Sequence, residues 1–167
     1  AGYRAAQLDI SKKGMGTTLT ALWMGKDSVC LAHVGDSRAY LLREGAFTQV
    51  TRDHSLVQEL VDQGVLTQEQ AAHHPMRNVI TRAVGTDETV EVDMITRERC
   101  KGDMWLLCSD GLSGMVSDEE MAGILRECAP EGARMKGRPF AMVGFRLRRV
   151  LVGIGIDRKS TRQNSSH

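Results

Sequence analysis

Aromatic residues make up only 4% of this 167-residue chain, two Trp, two Tyr and three Phe, and there are just three prolines. With so few aromatic anchors, a core has to be built mainly from aliphatic side chains. The four cysteines, Cys30, Cys100, Cys108 and Cys128, include no CxxC pair. Three of them lie in apolar stretches typical of buried thiols, so neither a zinc site nor a disulfide framework is expected. No run approaches the roughly 20 apolar residues of a membrane span, and no basic-then-apolar leader opens the chain. The expectation is a cytoplasmic chain with no membrane contact in this segment. His73 and His74 are the only adjacent histidines. Neighbours in a helix point about 100° apart, so they are read as surface or loop residues rather than a shared metal site.

What is present is the composition of a globular domain, 41% hydrophobic and 26% charged, long enough for one sizeable core. The chain opens on Ala1 rather than Met, and Lys12 and Lys13 follow without a turn or cap signal, which reads as a start within a longer protein. The net charge of +1 hides a break. Residues 1–128 hold 13 Lys+Arg against 19 Asp+Glu, whereas residues 129–167 hold 9 against 2. The two parts differ in kind.

Periodicity places strands first. Residues 17–24, 29–34, 38–43 and 47–51 alternate or carry β-branched side chains, with turns at 25–28 and at Glu44 and Gly45. They read as an antiparallel meander. Two further strands are expected at 90–96 and 104–108, joined around Lys101, Gly102 and Asp103. Three capping boxes mark helix starts, Ser55/Gln58, Thr67/Gln70 and Ser117/Glu120. The first helix carries Leu56, Val57, Leu60 and Val61 and stops at Gly64, and the third carries Met121, Ile124, Leu125 and Cys128. Both read as amphipathic helices lying on a sheet.

Beyond Cys128 the pattern fails, because Pro130, Gly132, Gly137, Pro139 and Gly144 interrupt any helix. Residues 129–156 read as a divergent, frame-shifted tail. Residues 157–167, DRKSTRQNSSH, differ only at Gln163 from the translation of a common sequencing-adapter oligonucleotide, and fall outside fold reasoning. A nucleic-acid or membrane arm built on Arg146, Arg148 and Arg149 is the weakest reading of this tail. No nucleic-acid partner is expected.

Two carboxylates stand where an apolar strand ends at a small residue: Asp36 in AHVGDSRAY and Asp110 in WLLCSDGLSG. A carboxylate there is held by rigid backbone yet open to a cleft, which suits a hard cation such as magnesium or manganese. Gly111 leaves room for a closely approaching ion or water. Taken singly, each aspartate is better explained as a turn cap.

In order, GMGTTLTAL, AHVGDSRAYLLREG, TRDHSLVQELVDQGVLT, HPMRNVITRAVG and GDMWLLCSDGLSGMVSDEE resemble the bacterial metal-dependent serine/threonine protein phosphatases of the PPM, or type 2C, family over residues 14–128. The resemblance implies an α+β fold, a sandwich of two antiparallel sheets flanked by helices in αββα layers, here incomplete at both ends. It implies a manganese or magnesium pair whose bridging water attacks phosphorus, with no phosphoenzyme. By motif match Asp110 would be a ligand of the core centre, and Asp36 and Asp110 would serve a third, weaker metal. Residues 53–80 would form the mobile flap shaping the substrate cleft. Asn78 would approach the third site, though an exposed turn asparagine explains it equally well. The implied substrates are phosphoserine and phosphothreonine proteins, those of a partner serine/threonine kinase.

Arg38 and Arg82 could clamp phosphate, but an ion pair within the fold is the first reading. The family's DGMGG turn is absent, since Gly14, Met15 and Gly16 follow Lys13 and precede Thr17 and Thr18, and no Asp-Asn pair occurs anywhere. Two carboxylates supply too few donors for a cation pair. This piece is therefore expected to be weakly active or inactive. The alternative is a non-catalytic phosphatase-like binding module.

Overall fold

The computed structural model describes residues 15–128. The tail at 129–167 lies outside them. Six strands and four helices follow in chain order: β1 Leu19–Met24, β2 Ser28–Val34, β3 Arg38–Arg43, β4 Ala46–Gln49, α1 Leu56–Asp62, α2 Gln68–Ala72, β5 Asp93–Glu98, β6 Met104–Cys108, α3 Asp110–Ser113 and α4 Asp118–Cys128. They form two three-stranded antiparallel sheets, ordered β1-β2-β5 and β4-β3-β6.

The inner faces of the two sheets make the core. Leu22, Val29 and Leu31 of the first sheet meet Ala39 and Trp105 of the second. Strand periodicity produces this, because Leu22 pairs with Leu31 on the inner face while its neighbour Trp23 pairs with Cys30 on the outer one. On the far side of the second sheet, Tyr40, Leu42 and Leu106 pack against Met121 and Leu125 of α4. Burial pushes the Tyr40 hydroxyl up to about 12. It therefore stays neutral, and accepts from Arg38 Nη1 at 3.2 Å. Each buried aliphatic or aromatic side chain contributes about 1.5–3 kcal/mol, which makes the sandwich interior the main source of stability.

Local chemistry accounts for the turns. Glu44 and Gly45, with φ of 51° and 83°, form the two-residue link between Arg43 and Ala46, as a type I′ hairpin turn requires. All three sequence-marked caps are present. Thr67 and Gln70 satisfy each other reciprocally, as do Ser117 and Glu120. Ser55 Oγ accepts from Gln58 N–H, but the Gln58 side chain turns instead to Asp62.

Three expectations need correction. The four-strand meander is two hairpins in different sheets, because the chain crosses from β2 to β3 at Gly35. There φ is +110°, and a Cβ would lie 2.3 Å from Thr18 Cγ2. No side chain fits this crossing. The fifth strand runs from Asp93 to Glu98 rather than over 90–96, set by its register with β2, Ser28 opposite Glu98 and His33 opposite Asp93. Lastly, α4 joins the core of the second sheet through Met121 and Leu125, whereas no residue of α1 belongs to either core cluster, and α1 meets α2. The described layers are thus sheet, sheet and helix. The outer face of the first sheet leaves Trp23 and Met94 63% and 69% exposed.

Arg43 ties the sheets together at the end away from Gly35. Its guanidinium donates to both oxygens of Asp103 at 2.8 Å and to Glu98 O at 2.8 Å. Burial works to raise the Asp103 carboxyl, but the bonds from Arg43 and from Cys100 N–H outweigh it and hold it below the usual range. A depressed carboxylate adds stability that is present above its unfolded value, about 4, and lost as pH falls through its folded one. We therefore expect urea midpoints to drop between about pH 5 and pH 2, and Asp103→Asn to lower the midpoint at pH 7 and flatten that dependence. Leu31→Ala, which opens a cavity between the sheets, should cost about 2–5 kcal/mol in the same denaturation experiment.

Candidate metal centre

The register of β3 against β6 determines what meets at the open end of the second sheet. Arg38 lies opposite Cys108 in an antiparallel pair. Asp36, two residues before Arg38, and Asp110, two after Cys108, therefore leave the sheet at the same end. Asp36 follows the constrained Gly35 crossing, and Asp110 opens α3 after the N-cap Ser109. Both carboxylates line one cleft of about 360 Å³, together with Asn78, Arg77, Gln58, Ser113 and Gly114. The two aspartates singled out by sequence are thus brought together, and Asn78 joins them.

The electrostatics are those of a site short of positive charge. Burial raises the Asp36 carboxyl above the usual range, and the nearby Asp110 raises it further. Among the described residues neither carboxylate takes part in an ion pair. The nearest guanidinium is committed elsewhere, since Arg38 donates from Nε and Nη2 to Asp53 at 3.0 and 2.7 Å, with Gln49 adding a bond at 3.1 Å. Arg38 has the fold-internal ion pair expected of it. Arg82 has one too, with Asp93 at 2.7 Å.

Gly111 is not part of the cleft lining. A Cβ there would meet only Ser109 Oγ, at 3.5 Å, so protein packing does not demand glycine at that position. Gly114 is the constrained residue: a Cβ would sit 2.8 Å from Asp110 O. His73 is exposed and His74 half-buried, where Nδ1 of His74 accepts from Met76 N–H. Both lie outside the cleft. Sequence reasoning passed over Asp53, Arg77 and Gly114. Asp53 carried no signal of its own, whereas Arg77 is a lone Arg in the polar stretch before Asn78 and Gly114 is a second Gly behind Asp110.

Among the described residues no three His, Cys, Asp or Glu side chains cluster as a metal site. The donor chemistry still fits one hard divalent cation. Two oxygen ligands on rigid strand ends, one of them destabilised as an anion, are what a magnesium- or manganese-type ion neutralises, with water and phosphate completing its shell. They do not suffice for a pair.

Comparison with known proteins identifies the family. Residues 3–138 match the family described as Protein phosphatase 2C. The serine/threonine protein phosphatase PstP of Mycobacterium tuberculosis is 49% identical over 124 residues, 73% of this chain and 24% of that protein. Its crystal structure superposes with a TM-score of 0.72 at 46% identity, covering 76% of this chain and 54% of that one. The catalytic domain of PstP with two manganese ions superposes with a TM-score of 0.67 at 44% identity, covering 74% and 51%. The chain thus spans about half of these solved structures and a quarter of the full-length relative.

Because its charged form is disfavoured in the fold, Asp36 should weaken the cation-free protein. In chelator, Asp36→Asn is expected to melt at a higher temperature than the wild type. Added manganese should then raise the wild-type melting temperature and leave that of the variant unchanged.

Proposed function

The chain belongs to the Protein phosphatase 2C family, and from that membership we propose that the protein it represents hydrolyses phosphoserine and phosphothreonine in proteins at the Asp36–Asp110 cleft. The observation that carries this is the convergence of two unpaired carboxylates in a cleft whose other wall comes from residues 53–80. When bound there, a divalent cation, manganese or magnesium, supplies charge compensation for phosphoryl oxygens and lowers the pKa of water. The catalytic domain of PstP holds two manganese ions, and in the protein this chain represents we assign a like pair, with a third, weaker site to which Asp36 and Asp110 both belong.

The chain's own residues do the rest. Asp36 and Asp110 fix the cation at the sheet end. Arg77, exposed on the wall opposite the carboxylates and without an ion-pair partner among the described residues, offers a planar guanidinium to the incoming phosphate. Residues 53–80 act as a flap, with α1 and α2 as its frame and Asn78 at its cleft edge. The lining contains no His, Cys or Lys, and Ser55 is occupied as a helix cap. The other hydroxyl of the lining, Ser113, has no His or Lys beside it to act as base, and direct attack of water on phosphorus, with no phosphoenzyme, is the route we assign. The substrates are proteins phosphorylated by a serine/threonine kinase, in the cytoplasm. Among the described residues no helix is long and apolar enough to cross a membrane.

The small donor set favours a second reading, a phosphatase-like module that binds phosphoprotein without hydrolysing it. Release of inorganic phosphate from a phosphothreonine peptide in manganese decides between them. We expect slow release by this chain and release at least about a hundredfold faster by a longer version carrying an upstream DGMGG turn and a downstream GG-x-DN segment, with Asp110→Asn silencing both. Arg77→Ala should raise KM more than it lowers kcat. Equal, robust activity from the short chain would show that its metal site is complete. Absence of activity in the longer version would leave the binding module as the function.

A further inference from the structure

His54 belongs to the TRDHS motif but does not line the cleft, and every polar atom it owns is engaged. It is 4% exposed. Its main-chain N–H donates to Gly35 O at 2.8 Å, and its Nδ1 accepts from Gly35 N–H at 3.0 Å. Both backbone polar groups of the residue before Asp36 are therefore bonded to His54. Because Nδ1 accepts, the ring proton is assigned to Nε2, which donates to Asp93 Oδ2 at 3.0 Å. Arg82 Nη1 lies 3.1 Å from Nε2, but it is also a donor, and its bond goes to Asp93 Oδ1 at 2.7 Å. Asp93 on β5 thus selects the tautomer that lets the ring hold Gly35.

The remaining polar atom points the other way. His54 O accepts from Thr81 N–H at 2.9 Å, and beyond it Leu56 N–H donates to Val79 O at 2.9 Å, so the two ends of the 53–80 segment close on this residue. Gly35 cannot brace its own turn, having no side chain and no room for one. Its restraint has to come from across the sheet.

We propose that His54 is a positioning residue, which holds the Asp36 carboxylate in its cation-binding orientation through Gly35 and couples it through Thr81 to the segment carrying Arg77 and Asn78. This rests on the assignment of Asp36 and Asp110 to a cation site. The coupling is structural: a shift of the flap base moves His54, and with it the turn that aims Asp36.

Two substitutions in the 167-residue chain separate the halves of the ring. In His54→Asn the amide oxygen falls near the position of Nδ1 and can still accept from Gly35 N–H, while the bond to Asp93 is lost. In His54→Gln the amide nitrogen falls near Nε2 and can still donate to Asp93, while the bond to Gly35 is lost. Manganese binding is read from the spin-resonance signal of free Mn²⁺, with Asp36→Asn as the site control, and hydrogen exchange is followed at the Gly35 amide. We expect His54→Asn to bind within about threefold of wild type, and His54→Gln to bind about tenfold more weakly with Gly35 exchanging about tenfold faster. Wild-type binding by His54→Gln, or equal weakening by both variants, overturns the proposal, since a residue that merely packs would not distinguish them. Equal binding by wild type and Asp36→Asn overturns the cation-site assignment and this proposal together, and is recognised by that comparison alone. Should His54→Gln fail to fold, Asp93→Ala frees the ring tautomer from outside the cleft; weakened manganese binding supports the proposal, and unchanged binding overturns it.

Discussion

The antiparallel pairing of β3 with β6 is the constraint on which the site depends. It places the residues before Arg38 and after Cys108 at one end of one sheet, so that carboxylates 74 positions apart in the chain face the same cleft. Nothing local brings them together. Were β6 slipped by one residue against β3, its inward face would turn outward, and Trp105 and Leu107 would leave the sandwich interior. The hydrophobic core therefore specifies the site indirectly: the packing that excludes other registers also fixes the separation of Asp36 and Asp110.

The surroundings of the cleft divide charges into two kinds. Arg38 with Asp53, Arg43 with Asp103 and Arg82 with Asp93 are compensated pairs, and they secure the turns and the start of the 53–80 segment. Asp36 and Asp110 are left uncompensated, and burial together with mutual repulsion raises Asp36. The buried Asp36 carboxylate thus stays without an ion-pair partner among the described residues, at some cost in stability, while Arg38 beside it in the lining is bound to Asp53. The same division explains why the conspicuous arginines of the sequence, Arg38 and Arg82, belong to the scaffold, while Arg77, in an exposed polar stretch, faces the cleft.

Much of the fold was legible because local signals agreed with the final structure. The strands Arg38–Arg43 and Met104–Cys108 have the bounds that their alternation suggested. Thr67/Gln70 and Ser117/Glu120 cap helices as their spacing implied, since a capping box is closed within four residues and owes nothing to the rest of the chain. Errors arose where a distant partner decided. The β5 boundary follows its register with β2. The apparent meander is broken by a glycine whose positive φ and contact with Thr18 belong to the packed state. α1 meets α2 and contributes nothing to either core cluster, because helical periodicity states that a face is buried but not against what.

Sequence by itself determined the element types, the caps, the family and the two candidate ligands, all of which are written in short stretches or in the order of motifs. Tertiary structure alone decided that Asp36 and Asp110 share a cleft, that the Arg38 guanidinium in the same lining is bound to Asp53, and that His54 grips Gly35 from both sides. The physical reason is range. Backbone propensity and capping act over a few residues, whereas carboxylates 74 positions apart come to one cleft only through the packed sandwich and its strand register.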